Sequence, residues 1–141
     1  MADQNFKNHG RFVPGFHFGA GLMTLGALIL ASWLLVELGL SKTTLFFLFA
    51  AVGLILVFWY ARAFGTGNQD RIIRAEENFR TYRLTGKMLD SRLTTSQIVA
   101  LRFADDDDEY KALTERAIKE NLSAKDIKQA ITQWKADHHR I

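Results

Sequence analysis

Four histidines and one unbroken acidic run are the residues of this chain whose chemistry could be specific. His9 and His17 lie in Asn5-Phe6-Lys7-Asn8-His9-Gly10-Arg11-Phe12-Val13-Pro14-Gly15-Phe16-His17-Phe18, at the entrance to a long apolar stretch. An imidazole placed there is a common axial ligand for haem or a chlorophyll-type pigment, because its neutral form offers a nitrogen lone pair. The same place also suits a histidine that is simply solvated or hydrogen-bonded at the lipid headgroups, and both readings stay open. His138 and His139 are adjacent, so they do not share a helix face, and with no third ligand evident no metal is assigned to them. The chain has no Cys, which excludes disulfides, thiolate zinc sites, c-type haem attachment and thiol chemistry.

The run Asp105-Asp106-Asp107-Asp108-Glu109 invites a calcium loop. An EF-hand needs alternating ligands, Gly sixth and Glu twelfth; Tyr110 and Arg116 stand at those positions, and the match fails. Acids ahead of Tyr110, Leu113, Ala117 and Ile118 instead cap a helix and face its positive end. The like-charged run also offers a contact to a basic partner. Gly65-Thr66-Gly67 is followed by neither a P-loop Lys-Ser/Thr nor a dinucleotide fingerprint. No nucleophile sits beside a base and no carboxylates pair in an apolar setting, so nothing demands catalysis and the chain reads as a non-enzyme. Acids match the basic residues throughout the tail, so nucleic acid is not an expected partner despite a pI near 9.3.

The elements that must position these residues follow from where charge is missing. A mean hydropathy of -0.03 with 48% hydrophobic and 23% charged residues describes an ordinary soluble domain. Of 18 basic and 15 acidic residues, however, only Glu37 and Lys42 fall within 18–61. Residues 12–36 and 43–61 carry no Lys, Arg, Asp or Glu, and each is long enough to cross a hydrocarbon core of about 30 Å as a helix. The Leu, Ile, Val and Phe residues of the second span together favour insertion by about 3 to 6 kcal/mol. A buried core helix of a soluble protein is set aside because the following 80 residues could not enclose two such helices. A cleaved signal peptide is set aside because a second span follows within about six residues. The expectation is therefore all-α: an interfacial arm over 1–17, a two-helix transmembrane hairpin over 18–61 (helices near 18–38 and 43–61), and a small cytoplasmic helical module over 62–141. Gly39 and Ser41 suit the C′ and N-cap positions of the hairpin turn.

Lys7 and Arg11 before the spans and Arg62, Arg71 and Arg74 after them, against Lys42 alone between, predict both termini in the cytoplasm. Trp33, Trp59 and Tyr60, near span ends, belong with Lys7, Arg11 and Arg62 at the membrane interface. Ala20, Thr24, Ala27 and Ala31 repeat at four, three and four residues and form one smooth helix face. That face either docks another membrane protein or packs against Ala50 and Gly53 of the second span. Two helices cannot enclose a transport pathway, and neither span has an ionisable residue near its centre.

In the tail, Gly65 and Gly67 suggest a hinge. A helix over 69–85 is predicted, with Asp70/Arg74 and Glu76/Arg80 pairs and an apolar face of Ile72, Ala75, Phe79 and Tyr82, ended by Gly86. Thr94…Gln97 and Ser123…Asp126 read as capping boxes. Ile127, Ala130, Ile131 and Trp134 form one stripe, with Trp134 packing inward or meeting a partner. The segment order suggests two helical hairpins.

The opening motif at 5–17, together with Asp70-Arg71-Ile72-Ile73-Arg74-Ala75-Glu76, Gln97-Ile98-Val99-Ala100-Leu101-Arg102-Phe103-Ala104 and the ending 127–141, resembles an uncharacterised family of small bacterial two-span membrane proteins. The resemblance covers nearly the whole chain. It implies the same topology and a bacterial inner-membrane location, and supplies no activity. The expected function is a non-enzymatic accessory or scaffold subunit of a larger membrane complex, with lipid and other membrane subunits as partners. The alternative is a haem- or chlorophyll-type-binding subunit using His9 or His17.

Overall fold

A computed structural model describes residues 4–138, so His139 lies outside the described residues. Among the described residues every regular element is helical. A π-helical turn, Gly15–Ala20, runs into α1 (Gly21–Leu38); α2 (Lys42–Thr85), α3 (Thr95–Leu101), α4 (Asp107–Lys119) and α5 (Ala124–Ala130) follow. The chain divides into two compact units: an apolar unit, Arg11–Thr66, and a charged unit, Met1–Gly10 with Gly67–Ile141.

In the apolar unit the first long helix begins at Gly15, earlier than the residue 18 suggested by hydropathy. Pro14 stands just ahead of it with φ -56, already helical, and needs no amide hydrogen of its own. α1 stops at Gly39, whose φ of 69 and ψ of -171 belong to a region essentially only glycine visits. Ser41 Oγ then accepts from the Thr44 amide at 3.1 Å and starts α2. The two helices meet at both ends of their apolar stretches. Phe16 stacks on Phe58 with ring centres 4.4 Å apart. Ala27 and Ala31, with Leu30 and Leu34, line one side of a groove closed by Phe47, Ala50, Ala51 and Leu54. Ala31 and Ala51 are almost wholly buried. Ala27 and Ala31 of the small-residue strip thus face α2, opposite Ala50 and Ala51, while Gly53 has open space beside it. The Thr24 hydroxyl is satisfied by the carbonyls of Ala20 and Gly21 at 3.0 and 2.9 Å. Both helices are long and apolar enough to cross a membrane, and only 6% and 11% of their apolar windows are buried.

The expected helix break at Gly65 and Gly67 is not found, because α2 runs from Lys42 to Thr85 through both. A glycine within a helix costs only about 1 kcal/mol, and Thr66 Oγ1 bonds back to the carbonyls of Arg62 and Ala63 at 3.0 and 3.1 Å. The helix expected over 69–85 is therefore the end of α2. Its inward face is also the opposite of the one predicted. Ile72, Phe79 and Tyr82 are exposed, whereas Ile73, Glu77, Arg80 and Thr81 are buried. The apolar stripe is real by spacing, but the neighbouring face carries the polar groups that α4 and its flanking loop need.

The core of the charged unit gathers Ile73, Leu93, Ile98, Leu101, Tyr110, Leu113 and Ile127. α3 packs against α4 and α5 in place of two hairpins. Local signals hold at the caps. Thr94 and Gln97 form a reciprocal capping box, as do Ser123 and Asp126, and Asp106 accepts from the amides of Asp108 and Glu109 to open α4. α5 ends at Ala130, so Trp134 is not on a helix as its stripe predicted. Glu109 explains the difference: its carboxylate accepts from Thr132 N, Thr132 Oγ1 and Gln133 N at 2.7, 2.7 and 3.2 Å. These bonds hold Thr132 and Gln133 in a bend outside the helix, and Trp134 forms an isolated β-bridge with Ala104.

Candidate functional site

Three of the sequence-predicted site residues, His17, Trp59 and Arg62, line one cavity of about 290 Å³ with Phe16, Phe58 and Ala63. The π-helical turn sets this geometry. Its wider winding places Phe16 on Phe58 and His17 beneath Phe12, stacked at 4.5 Å. His17 Nδ1 lies 2.9 Å from the Val13 carbonyl oxygen and 3.2 Å from the Val13 amide nitrogen. If Nδ1 carries the hydrogen it donates to the carbonyl, and Nε2 presents a lone pair; if not, Nδ1 accepts from the amide and Nε2 donates. Arg62 is half-buried and no acidic residue lines the cavity with it.

The remaining interface residues are outward. Lys7, Arg11, Trp33 and Tyr60 are exposed, and Tyr60 stacks on Phe64 at 5.4 Å. Ala20, Thr24 and Ala27 are partly buried.

His9 belongs to the charged unit and is far more tightly held. Nδ1 is 2.7 Å from the Phe6 carbonyl and Nε2 is 3.2 Å from Lys128 Nζ. An ammonium can only donate, so Nε2 accepts and Nδ1 donates, and both nitrogens are engaged. The ring also stands 5.7 Å from both Phe103 and Trp134. Trp134 itself lies flat on Phe103 at 4.6 Å and 19°, and its buried Nε1 finds no acceptor among the described residues.

A second constellation was not singled out from the sequence. Arg80 is buried and donates from Nη1 to the Ala104 carbonyl at 2.7 Å, from Nη2 to the Asp105 carbonyl at 2.9 Å, and from Nη2 to Asp107 Oδ1 at 2.8 Å. Its ion pairs run to Glu77 at 4.0 Å and to Asp107, not to the predicted Glu76. The guanidinium covers the Tyr110 ring at 4.3 Å, and the Tyr110 hydroxyl meets Thr81 Oγ1 at 2.7 Å. Burial pushes the Glu77 carboxyl above its ordinary range, with Arg80 and Lys135 pulling the other way. Burial likewise pushes the Tyr110 phenol up to about 12. The hydrogen bond from Arg80 holds Asp107 below the usual carboxylate range. Glu77, Arg80 and Asp107 border a cavity of about 490 Å³, also lined by Glu76, Phe79, Arg83, Asp105 and Lys135. Four carboxylates and three cations line it, and the hydrogen bonds and ion pairs of Arg80 tie part of this lining into a polar network. The one sequence cue was the polar run Glu77, Arg80, Thr81 sharing a helix face with Ile73 and Leu84.

Among the described residues no three metal-ligating side chains cluster. No curated protein and no solved structure matches the chain. The family model of DUF6526 matches residues 1–141, and the chain belongs to this family of unknown function.

Proposed function

We propose that the protein is a non-enzymatic integral-membrane accessory or scaffold subunit of a larger bacterial membrane protein complex. The observation that carries this reading is the stripe Ile72, Ala75, Phe79 and Tyr82, which stands exposed on α2 within the charged unit. Its spacing of three, four and three is the seam that a partner helix fits, and this protein's own core does not use it. Residues 18–61 form the transmembrane hairpin, whose outer surface meets lipid, and residues 62–141 form the cytoplasmic module. The distribution of Lys7, Arg11, Arg62, Arg71 and Arg74 against Lys42 supports both termini in the cytoplasm of a bacterium, with the spans in its inner membrane.

Purification in mild detergent followed by mass spectrometry tests the proposal. Subunits of a larger membrane assembly should co-purify with the full chain and be lost from an Ile72→Asp/Phe79→Asp variant that keeps its helicity. A clean monomer or homo-oligomer with no other subunit would count heavily against it.

One geometric feature favours a second reading, a haem- or chlorophyll-type-binding subunit. When His17 Nδ1 donates to the Val13 carbonyl, the ring is fixed and Nε2 is left as a ligand. A visible spectrum of the purified protein decides it: the reading needs an absorption band that His17→Ala abolishes.

A further inference from the structure

The cavity bounded by Phe16, His17, Phe58, Trp59, Arg62 and Ala63 has features of a lipid site that go beyond general membrane residence. Lys42 and Arg62 bracket an uncharged stretch of α2, and twenty residues of helix rise about 30 Å, the thickness of a hydrocarbon core. Arg62 therefore stands at the level where acyl chains give way to headgroups. His17, in the π-helical turn that runs into α1, lies 21 residues before Leu38, which is about 30 Å of helix and reaches the same level. At that level the walls are aromatic, while the polar groups are one guanidinium and one imidazole. The lining includes no carboxylate, so nothing within it neutralises Arg62.

We infer that this cavity holds one anionic phospholipid, with its phosphate at Arg62 and His17 and its glycerol and upper acyl chain against Phe16, Phe58 and Trp59. A guanidinium forks onto phosphate oxygens with two parallel hydrogen bonds. The His17 tautomer in which Nδ1 accepts from the Val13 amide leaves Nε2–H to donate to the same phosphate. A zwitterionic lipid brings its own ammonium to the headgroup and gains less from the unneutralised cation. This inference rests on the transmembrane reading of residues 18–61, and its test is arranged so that the two fail separately.

Alkaline carbonate extraction first reports on membrane residence: release of the full chain into the soluble fraction would remove both proposals. If the chain stays in the membrane, the purified full-length protein in detergent is titrated with dioleoylphosphatidylglycerol, dioleoylphosphatidylcholine or inorganic phosphate, and bound species are counted by native mass spectrometry. The expected result is one phosphatidylglycerol per chain, held about tenfold or more tightly than phosphatidylcholine, since a charged hydrogen bond is worth at least that factor. Arg62→Gln should erase the preference and Arg62→Lys should keep much of it. Ala63→Phe, which fills the space and leaves the charge, should lose the lipid as well. Equal binding of the two lipids, or an Arg62→Gln protein that still prefers phosphatidylglycerol, would overturn the inference. Displacement of phosphatidylglycerol by millimolar inorganic phosphate would overturn it too, because the site would then be one for free phosphate.

Discussion

Glu77 is a carboxyl that folding takes out of water and only partly compensates. Arg80 reaches it at 4.0 Å, and one of its oxygens has no hydrogen bond among the described residues. Its proton is therefore held more tightly in the folded protein than in the unfolded chain. Between its ordinary value of 4.5 and the raised folded value, the unfolded chain binds fewer protons, so stability falls as pH rises through that interval. Glutamine keeps the shape and cannot titrate. Thermal melts by circular dichroism should show Glu77→Gln gaining on the wild type from pH 4 to pH 8; curves that stay parallel would remove this account. Asp90, lowered to about 2 by the hydrogen bonds from Arg92, contributes in the opposite sense. Its stabilisation is lost as pH falls from 3.8 towards 2, below the Glu77 interval. The sequence displayed Arg80 as a partner for Glu76, four residues away. What it could not display is that Asp107, Ala104 and Asp105, some 25 positions on, compete for the same guanidinium.

Among the elements, the legible parts are those fixed within a few residues. The Thr94 and Ser123 capping boxes, the Asp106 cap and the Gly39 and Gly86 stops, both at positive φ, are all decided locally. Gly39 provides a direct check. Its conformation excludes other residues while the space around it is open, so Gly39→Ala should cost about 1 to 3 kcal/mol through backbone strain alone. Gly26 also has open space but sits within α1, and Gly26→Ala should be neutral or stabilising by up to about 1 kcal/mol. Unfolding of both variants in detergent measures the contrast, and equal losses would contradict it. The illegible parts are those that distant groups decide. A three-four spacing marks Ile72, Ala75, Phe79 and Tyr82 as one face, yet which face turns inward depends on the groups brought by α4 and its loop. The stripe ending in Trp134 fails for a similar reason, since Glu109 captures the backbone of Thr132 and Gln133.

For the molecule as a whole, hydropathy located the two long apolar helices because lipid-length segments need no tertiary information. The sequence marked His17 as a ligand candidate and Trp59 and Arg62 as interface residues, separately, without revealing that the three share a cavity. The assignment of an arm over 1–17 did not anticipate that its first part folds with the charged unit. Gln4 and Asp137 exchange two hydrogen bonds, Asp137 N to Gln4 Oε1 at 2.7 Å and Gln4 Nε2 to the Asp137 carbonyl at 3.2 Å, and His9 meets Lys128. These contacts set a parity rule. A strand of polymer whose early and late segments are fastened together can pass through a sheet only an even number of times, whichever side it starts from. Compartment reporters fused before Gln4 and after the last residue should therefore always agree with each other, and a split result would mean that the fastening is absent in the membrane. The partners of the arm are also made more than a hundred residues after it, so this clasp can close only after both long apolar helices have been synthesised.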